Sequence, residues 1–307
     1  LILALDGRYW ATMHDMDISL GLADPAWQPA FDICRGRAPA TPLIYASPHS
    51  GQVYPQDLMT ASVLDKSAIR RSEDVLVNEL IGGACEVGVT VICARYGRAY
   101  IDVNRDPYEL DQAMFEDELP PFARARTPRI AAGLGTIARV VAAGQEIYGR
   151  KLNFAEVRGR IERVHQPYHA ALTELIGVAK AGFGAALLID WHSMPSAAAK
   201  PARGRRTPDI VLGDLFGASC RPAFSNLVDR ELRELGYEVI RNAPYAGGYT
   251  TEFYGAPRRQ VQVLQIEINR GLYLDEKRLE PTAGFETLKA DLATLSASLA
   301  QAWPKLL

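Results

Sequence analysis

Two of the five histidines close apolar runs. His49 follows LIYASP and precedes a Gly-containing turn, and His192 follows ALLIDW. A neutral imidazole offers a nitrogen lone pair to a divalent ion such as zinc. Either histidine alone reads equally as a structural residue that caps a backbone group. Two of them at the ends of separate strands strengthen each other, because a metal site gathers its ligands from separate elements. Two histidines and one carboxylate leave a position open for water. The acid is sought at Glu73 or Asp74 in RRSEDVLVNEL, although an acidic first helical turn is also explained by the helix dipole. Asp190 stands two residues before His192, where it can accept from an imidazole and orient it.

Two further clusters carry charge at strand ends. In YIDVNRDP, Asn104 and Arg105 offer an amide donor and a guanidinium fork, which suits a carboxylate. The competing reading is an ion pair from Arg105 to Asp102 or Asp106. In VQVLQIEIN, Glu267 interrupts an otherwise apolar run. A buried carboxylate is either paired, here with Arg270, or kept as a general base of tuned pKa. His165 and His169 share a helix face at i, i+4, but no Glu follows the first, and Pro167 disturbs the turn. They read as residues that pack or support a site from behind. There is no G-x-S-x-G elbow, G-x-G-x-x-G loop or Walker A sequence. Ser219 and Cys220 have no nearby base to activate them.

Alternating strands and helices must position these residues. Strand patterns cover 43–46, 89–93, 99–103, 186–189, 210–212, 238–241 and 261–268. Helical spacing covers 72–82, 128–147, 153–181, 223–235 and 287–303. Several strands are continuous apolar runs, so helices are expected on both faces of the sheet. The segment 197–206, AAAKPARGRR, reads as a mobile basic loop.

The 307 residues suffice for a large core. A net charge of −2 provides no field for nucleic acid or an anionic membrane, so an anionic substrate needs local arginines. Cys34, Cys85, Cys93 and Cys220 are scattered and read as reduced, buried thiols. No apolar run reaches the ~18 residues of a membrane span, and a cytoplasmic location is expected. The first dozen residues read as an upstream extension.

In order, PHSG, the acidic helix start, ARYGRAYIDVNRDP, IDWHS, RTPDIVLGDLFGASC, GGYTTEFYG and LQIEIN resemble the N-formylglutamate amidohydrolase (formylglutamate deformylase) family over residues 40–275. That family resembles zinc carboxypeptidases and aspartoacylase. The resemblance implies one three-layer α/β/α domain around a mixed sheet; the domain is taken to span 1–307, with residues 1–15 as an extension. It implies one zinc ion per chain on His49, Asp74 and His192. In the carboxypeptidase relatives a Glu follows the first histidine by three; Gln52 stands here, so the acid comes from elsewhere. Asn104 and Arg105 match the substrate-carboxylate pair, Glu267 the general base, and Arg95 the arginine that polarises the scissile carbonyl. Arg203, Arg205 and Arg206 would meet a second carboxylate or form a solvated loop, and GGYTTEFYG would face substrate or be an ordinary turn. The implied activity is release of formate from N-formyl-L-glutamate, in histidine degradation, with a small anionic N-acyl amino acid as partner. Hydrolysis of another N-acyl amino acid, or ligand binding without catalysis, is the alternative.

Overall fold

In the computed structural model, the described residues are 9–12, 28–36, 38, 40–141, 144–200 and 206–306. Eight strands form one sheet: β1 Tyr9–Thr12, β2 Phe31–Arg35, β3 Leu43–Ser47, β4 Thr90–Ala94, β5 Ala186–Met194, β6 Ile210–Gly213, β7 Val239–Arg241 and β8 Val261–Asn269. Their order is β1-β2-β4-β3-β5-β8-β6-β7. The four central strands, β4, β3, β5 and β8, run parallel to one another. β2 joins β4 antiparallel, and β6 joins β8 antiparallel. The sheet is mixed, and its parallel strands end at one common edge.

The apolar runs predict strands covered on both faces, and every residue of β3, β5 and β8 is buried. Side chains alternate between faces along a strand. Leu188 and Val263 pack with Val157, Tyr168 and Leu172 of the long helical stretch on one face. Leu187, Ile189 and Leu264 pack with Phe224, Val228, Leu292 and Leu295 on the other. Those last four side chains belong to helices Pro222–Glu234 and Gly284–Ala302. The result is the expected α/β/α layering.

Four local expectations need correction. Residues 99–103 are not a strand: Tyr100 N–H returns to Gly97 O at 2.8 Å, forming a turn. Ala99, Ile101 and Val103 are buried in the core that contains the long helical stretch, which explains their strand-like pattern. Among the described residues of 128–147, only Pro128–Ala131 form an α-helix. Gly133 then takes φ +76, and Gly135 lies so close to Glu109 O that a Cβ would stand 2.5 Å from it. The helix expected from residue 72 starts at Val77, because Leu76 takes φ 63. Finally, β1 and β2 lie in segments with no strand assigned from sequence, and β1 falls within the supposed leading extension.

The thiol expectation also fails for two cysteines. Cys34 of β2 and Cys85 form a disulfide with Cα atoms 6.1 Å apart, while Cys93 and Cys220 are free and buried. The bonded pair is 51 residues apart, so no local spacing announces it. Among the described residues no helix is long and apolar enough to cross a membrane.

Leu188 is fully buried at the centre of β5. Leu188→Ala is expected to lower unfolding free energy by about 2–5 kcal/mol. Urea denaturation measures this, and a loss under about 1 kcal/mol would contradict the packing described.

Candidate metal centre

Strand alternation builds the site. Asp190 and His192 project from the same face of β5, and Gln265 and Glu267 from the same face of β8. The register sets Asp190 beside Gln265 and His192 beside Glu267. Lower on β5 the same face carries Leu188, so one face changes from apolar to polar as the parallel strands approach their C-terminal ends. His49 follows β3 at that edge. Asp74 is tied to it by backbone, its N–H donating to His49 O at 3.0 Å.

The two imidazole rings lie 4.7 Å apart, and both are buried. Nδ1 of His192 is 3.0 Å from Asp74 Oδ2, and Nδ1 of His49 is 3.4 Å from the same oxygen. The opposite nitrogens face aspartates. His49 Nε2 lies 2.6 Å from Asp102 Oδ1, and His192 Nε2 lies 3.0 Å from Asp190 Oδ2. A carboxylate that accepts from Nε2–H leaves the lone pair on Nδ1. Both lone pairs then point at Asp74.

One ligand atom from each of His49, Asp74 and His192 falls within 4.8 Å of the others. Ligand atoms about 2.1 Å from a tetrahedral ion stand roughly 3.4 Å apart, close to the 3.4 and 3.0 Å from the two Nδ1 atoms to Asp74 Oδ2. His49 Nδ1 is buried and has no hydrogen-bond partner. An orphaned lone pair facing a carboxylate oxygen is a fitting place for a cation.

Charge around the cluster agrees. Burial would raise the Asp74 carboxyl, but the neighbouring His192 and His49 imidazoles hold it well below the usual range. Its other oxygen accepts from Arg270 Nη2 at 3.0 Å and Ser193 Oγ at 3.3 Å, which leaves Oδ2 for the histidines. Burial opposes charge on His192, yet Asp190, Asp74 and Glu267 push its pKa well up. The field that favours a proton on this imidazole favours any cation at Nδ1. Burial raises Glu267 to about 7 against the pull of His192, with Asp74 adding to the rise. Gln265 Nε2 donates to Glu267 Oε1 at 2.9 Å.

The cluster opens into a cavity of about 520 Å³ lined by His49, Asp74, His192, Glu267 and the arginines Arg71, Arg98, Arg105, Arg129 and Arg270. A model of the N-formylglutamate amidohydrolase family matches residues 41–274. The chain belongs to this family. It is 40% identical to the N-formylglutamate amidohydrolase of Ralstonia eutropha JMP134, whose crystal structure superposes with a TM-score of 0.85, covering 91% of this chain and 99% of that one. It is 30% identical to the N-formylglutamate deformylase of Pseudomonas aeruginosa over 79% of this chain and 85% of the relative. The Pseudomonas putida enzyme of the same name is 27% identical over 85% and 91% respectively. Membership makes the chain an enzyme that hydrolyses amide bonds.

For this family member the structure separates the two acids left open by sequence. Glu73 is fully buried and engaged by Tyr54 Oη at 2.7 Å and by Arg70 Nε and Nη2 at 2.9 and 3.1 Å, so Asp74 alone reaches the histidines. Gln52 is exposed. Arg270 pairs with Asp74 and not with Glu267. Arg105 lines the cavity, its Nε and Nη1 donating to Leu134 O and Asn104 O. Asp102 Oδ2 is 4.0 Å from it, and burial pushes its guanidinium down despite that charge.

Other placements differ from expectation. Arg95 does not line the cavity; it lies 3.5 Å from Asp32 and donates to Gln28. The Gly97 turn brings Arg98 in instead, with Nη2 2.7 Å from Asp102 Oδ2. Asn104 lines the cavity, but its amide is occupied within the protein. Nδ2 donates to Asp190 Oδ2 at 3.1 Å and lies 2.9 Å from His192 Nε2, while Oδ1 accepts from Thr250 N and Oγ1. It is a support for His192 and not a free donor for substrate. Gly248 backs this amide so closely that a Cβ would stand 2.6 Å from Nδ2. GGYTTEFYG is therefore partly site-forming: Gly247 and Gly248 line the cavity and Tyr249–Tyr254 is helical. Arg203 and Arg205 lie outside the described residues. Arg206 is exposed, 3.9 Å from Asp209, and does not line the cavity.

Sequence reasoning missed Asp102 as an anchor for His49 and missed Arg98, Arg71 and Arg129. The Asp102–His49 pair spans 53 residues, so no spacing reveals it. Asp102→Asn is expected to weaken divalent-metal binding at this site by about 10- to 100-fold. Chelator competition measures this, and unchanged affinity would remove Asp102 from its supporting role.

Proposed function

We propose that the chain hydrolyses N-formyl-L-glutamate to formate and L-glutamate, using one zinc ion held by His49, Asp74 and His192. The observation that carries this reading is the convergence of those three ligand atoms beside Glu267 in an arginine-lined cavity. The names of the relatives supply the acyl group and the amino acid. A divalent ion held there supplies a Lewis acid that polarises a carbonyl and acidifies water.

The chain's own groups do the rest. Glu267 takes a proton from the attacking water and delivers it to the departing amine as the formyl C–N bond breaks. A carboxyl raised to about 7 by burial is suited to both transfers near neutral pH. Gln265 occupies one oxygen of Glu267, which leaves Oε2 for the proton. Arg98, fixed by Asp102, takes the part expected of Arg95 and donates to the carbonyl oxygen as negative charge grows. Arg105 binds a substrate carboxylate: its guanidinium is half-buried and its ion pair to Asp102 is long, 4.0 Å, so an anion in the cavity compensates it. Arg71 and Arg129 remain for the second carboxylate of glutamate. These contacts convert binding energy into orientation of the formyl group.

Two measurements test the reading. Glu267→Gln is expected to keep its zinc and lose turnover by roughly 10²-fold or more; near-normal turnover would remove Glu267 from the reaction. Rates on N-formyl-, N-acetyl- and N-propionyl-L-glutamate should fall in that order. A preference for either larger acyl group would reject the substrate, and full activity after exhaustive chelation would reject the metal.

A further inference from the structure

Two imidazoles outside the centre hold the segment that feeds it. His165 ends a π turn, Ile161–His165, and His169 lies in the first turn of Gln166–Phe183. Pro167 has no N–H to continue the α-helical ladder. The wider turn absorbs this, with Gln166 N–H reaching back to Ile161 O. Both rings end on one face, their centroids 4.4 Å apart.

That face meets residues 103–105. His165 Nε2 lies 2.9 Å from Arg105 O, and His169 Nε2 lies 2.7 Å from Val103 O. A carbonyl only accepts, so both nitrogens carry the proton and donate. Tyr254 Oη, 2.8 Å from His169 Nδ1, holds the other side of that ring. Burial pushes both imidazoles down, His169 to about 3, so they donate without adding positive charge beside Arg105.

The clamped segment serves the site at each residue. Asn104, between the two clamped carbonyls, supports His192 and Asp190. Asp102, just before it, anchors His49. Arg105 Nη1 donates to Asn104 O, so the guanidinium is referenced to the same backbone. We propose that His165 and His169 are positioning residues that fix the backbone of residues 103–105 and so aim the Arg105 guanidinium into the cavity. The inference rests on the reading of Arg105 as the cation that binds a substrate carboxylate.

The test compares zinc-loaded His165→Leu, His165→Gln, His169→Leu, His169→Gln and Arg105→Ala with the parent enzyme. Three quantities are measured: kcat and KM on N-formyl-L-glutamate, the calorimetric Kd for L-glutamate, and zinc per chain. The Leu variants are expected to raise KM and Kd by about tenfold or more, since small misplacements of a binding group are costly. They should keep zinc and most of kcat. Gln carries an amide N–H to a similar reach, and should restore most of the affinity. KM and Kd unchanged in the Leu variants, or equally poor in the Gln variants, overturn the inference. If Arg105→Ala leaves Kd unchanged, the reading of Arg105 fails; if it weakens Kd while the Leu variants do not, only the histidine clamp fails. Tyr254→Phe removes one hydroxyl and keeps the ring packing, so it decides the matter should the Leu variants not fold. A rise in Kd supports the clamp, and an unchanged Kd overturns it.

Discussion

A neutral imidazole has two nitrogens and one proton, and the site depends on where that proton sits. Asp102 and Asp190 settle this for His49 and His192 by taking the Nε2 side of each ring. Both Nδ1 atoms are then turned on one oxygen of Asp74, whose other oxygen is held by Arg270 and Ser193. Three ligand atoms converge only because these outer partners leave them no alternative. The orphaned His49 Nδ1 is the visible result, since no protein donor competes for it.

The sheet makes this convergence affordable in residues. Four adjacent parallel strands end at one edge, the usual place for ligands in an α/β sheet. His192 and Glu267 come from neighbouring strands in direct register, so their separation is set by strand spacing and not by loop conformation. The loop after β4 brings Arg98, Asp102, Asn104 and Arg105 to the same edge. That loop lacks a ladder of its own, and is braced from several sides. Gly248 backs Asn104, Thr250 donates to its Oδ1 from both N and Oγ1, and the imidazoles of the long helical stretch hold the carbonyls on either side.

How much of this was legible follows from the range of each signal. The central strands were readable because full burial on both faces demands continuous apolar residues, and 186–189 and 261–268 have them. His49, His192 and Glu267 were conspicuous because each ends or interrupts such a run. Their partners were not. Asp102 and Arg98 stand in a polar loop where nothing local distinguishes an anchor from a solvated charge. Arg95 and Arg98 differ only by a turn at Gly97, whose Cβ would collide with the Tyr54 ring at 2.5 Å, and that contact is tertiary. The helix expected over 128–147 failed for a similar reason: periodicity was present, but glycines at 133 and 135 serve close approaches that periodicity does not describe. β2 was missed because its polar Asp32 and Arg35 dilute the apolar signal of Phe31 and Ile33.

The distribution of charge joins the fold to the chemistry. Asp74, Asp102, Asp190 and Glu267 are all buried within one small region. Buried carboxylates need partners or they take protons. Arg270 answers Asp74 and Arg98 answers Asp102, both as close ion pairs. Asp190 has only His192 and the Asn104 amide, with one oxygen unpartnered, and Glu267 has only the Gln265 amide. The inner region is therefore short of positive charge, while Arg71, Arg105 and Arg129 line the same cavity, with Arg105 and Arg129 in only long ion pairs, 4.0 Å to Asp102 and 3.7 Å to Glu109. A cation lowers the energy of the inner region, and a small anion lowers the energy of the arginines. On the proposed reading, a dianion carrying a neutral amide meets both demands at once, with its carboxylates on the arginines and its uncharged carbonyl turned toward the cation. On that same reading these charges orient the substrate before any group reacts, and the burial that raises Glu267 to about 7 suits it to exchange a proton at the end where the amide arrives.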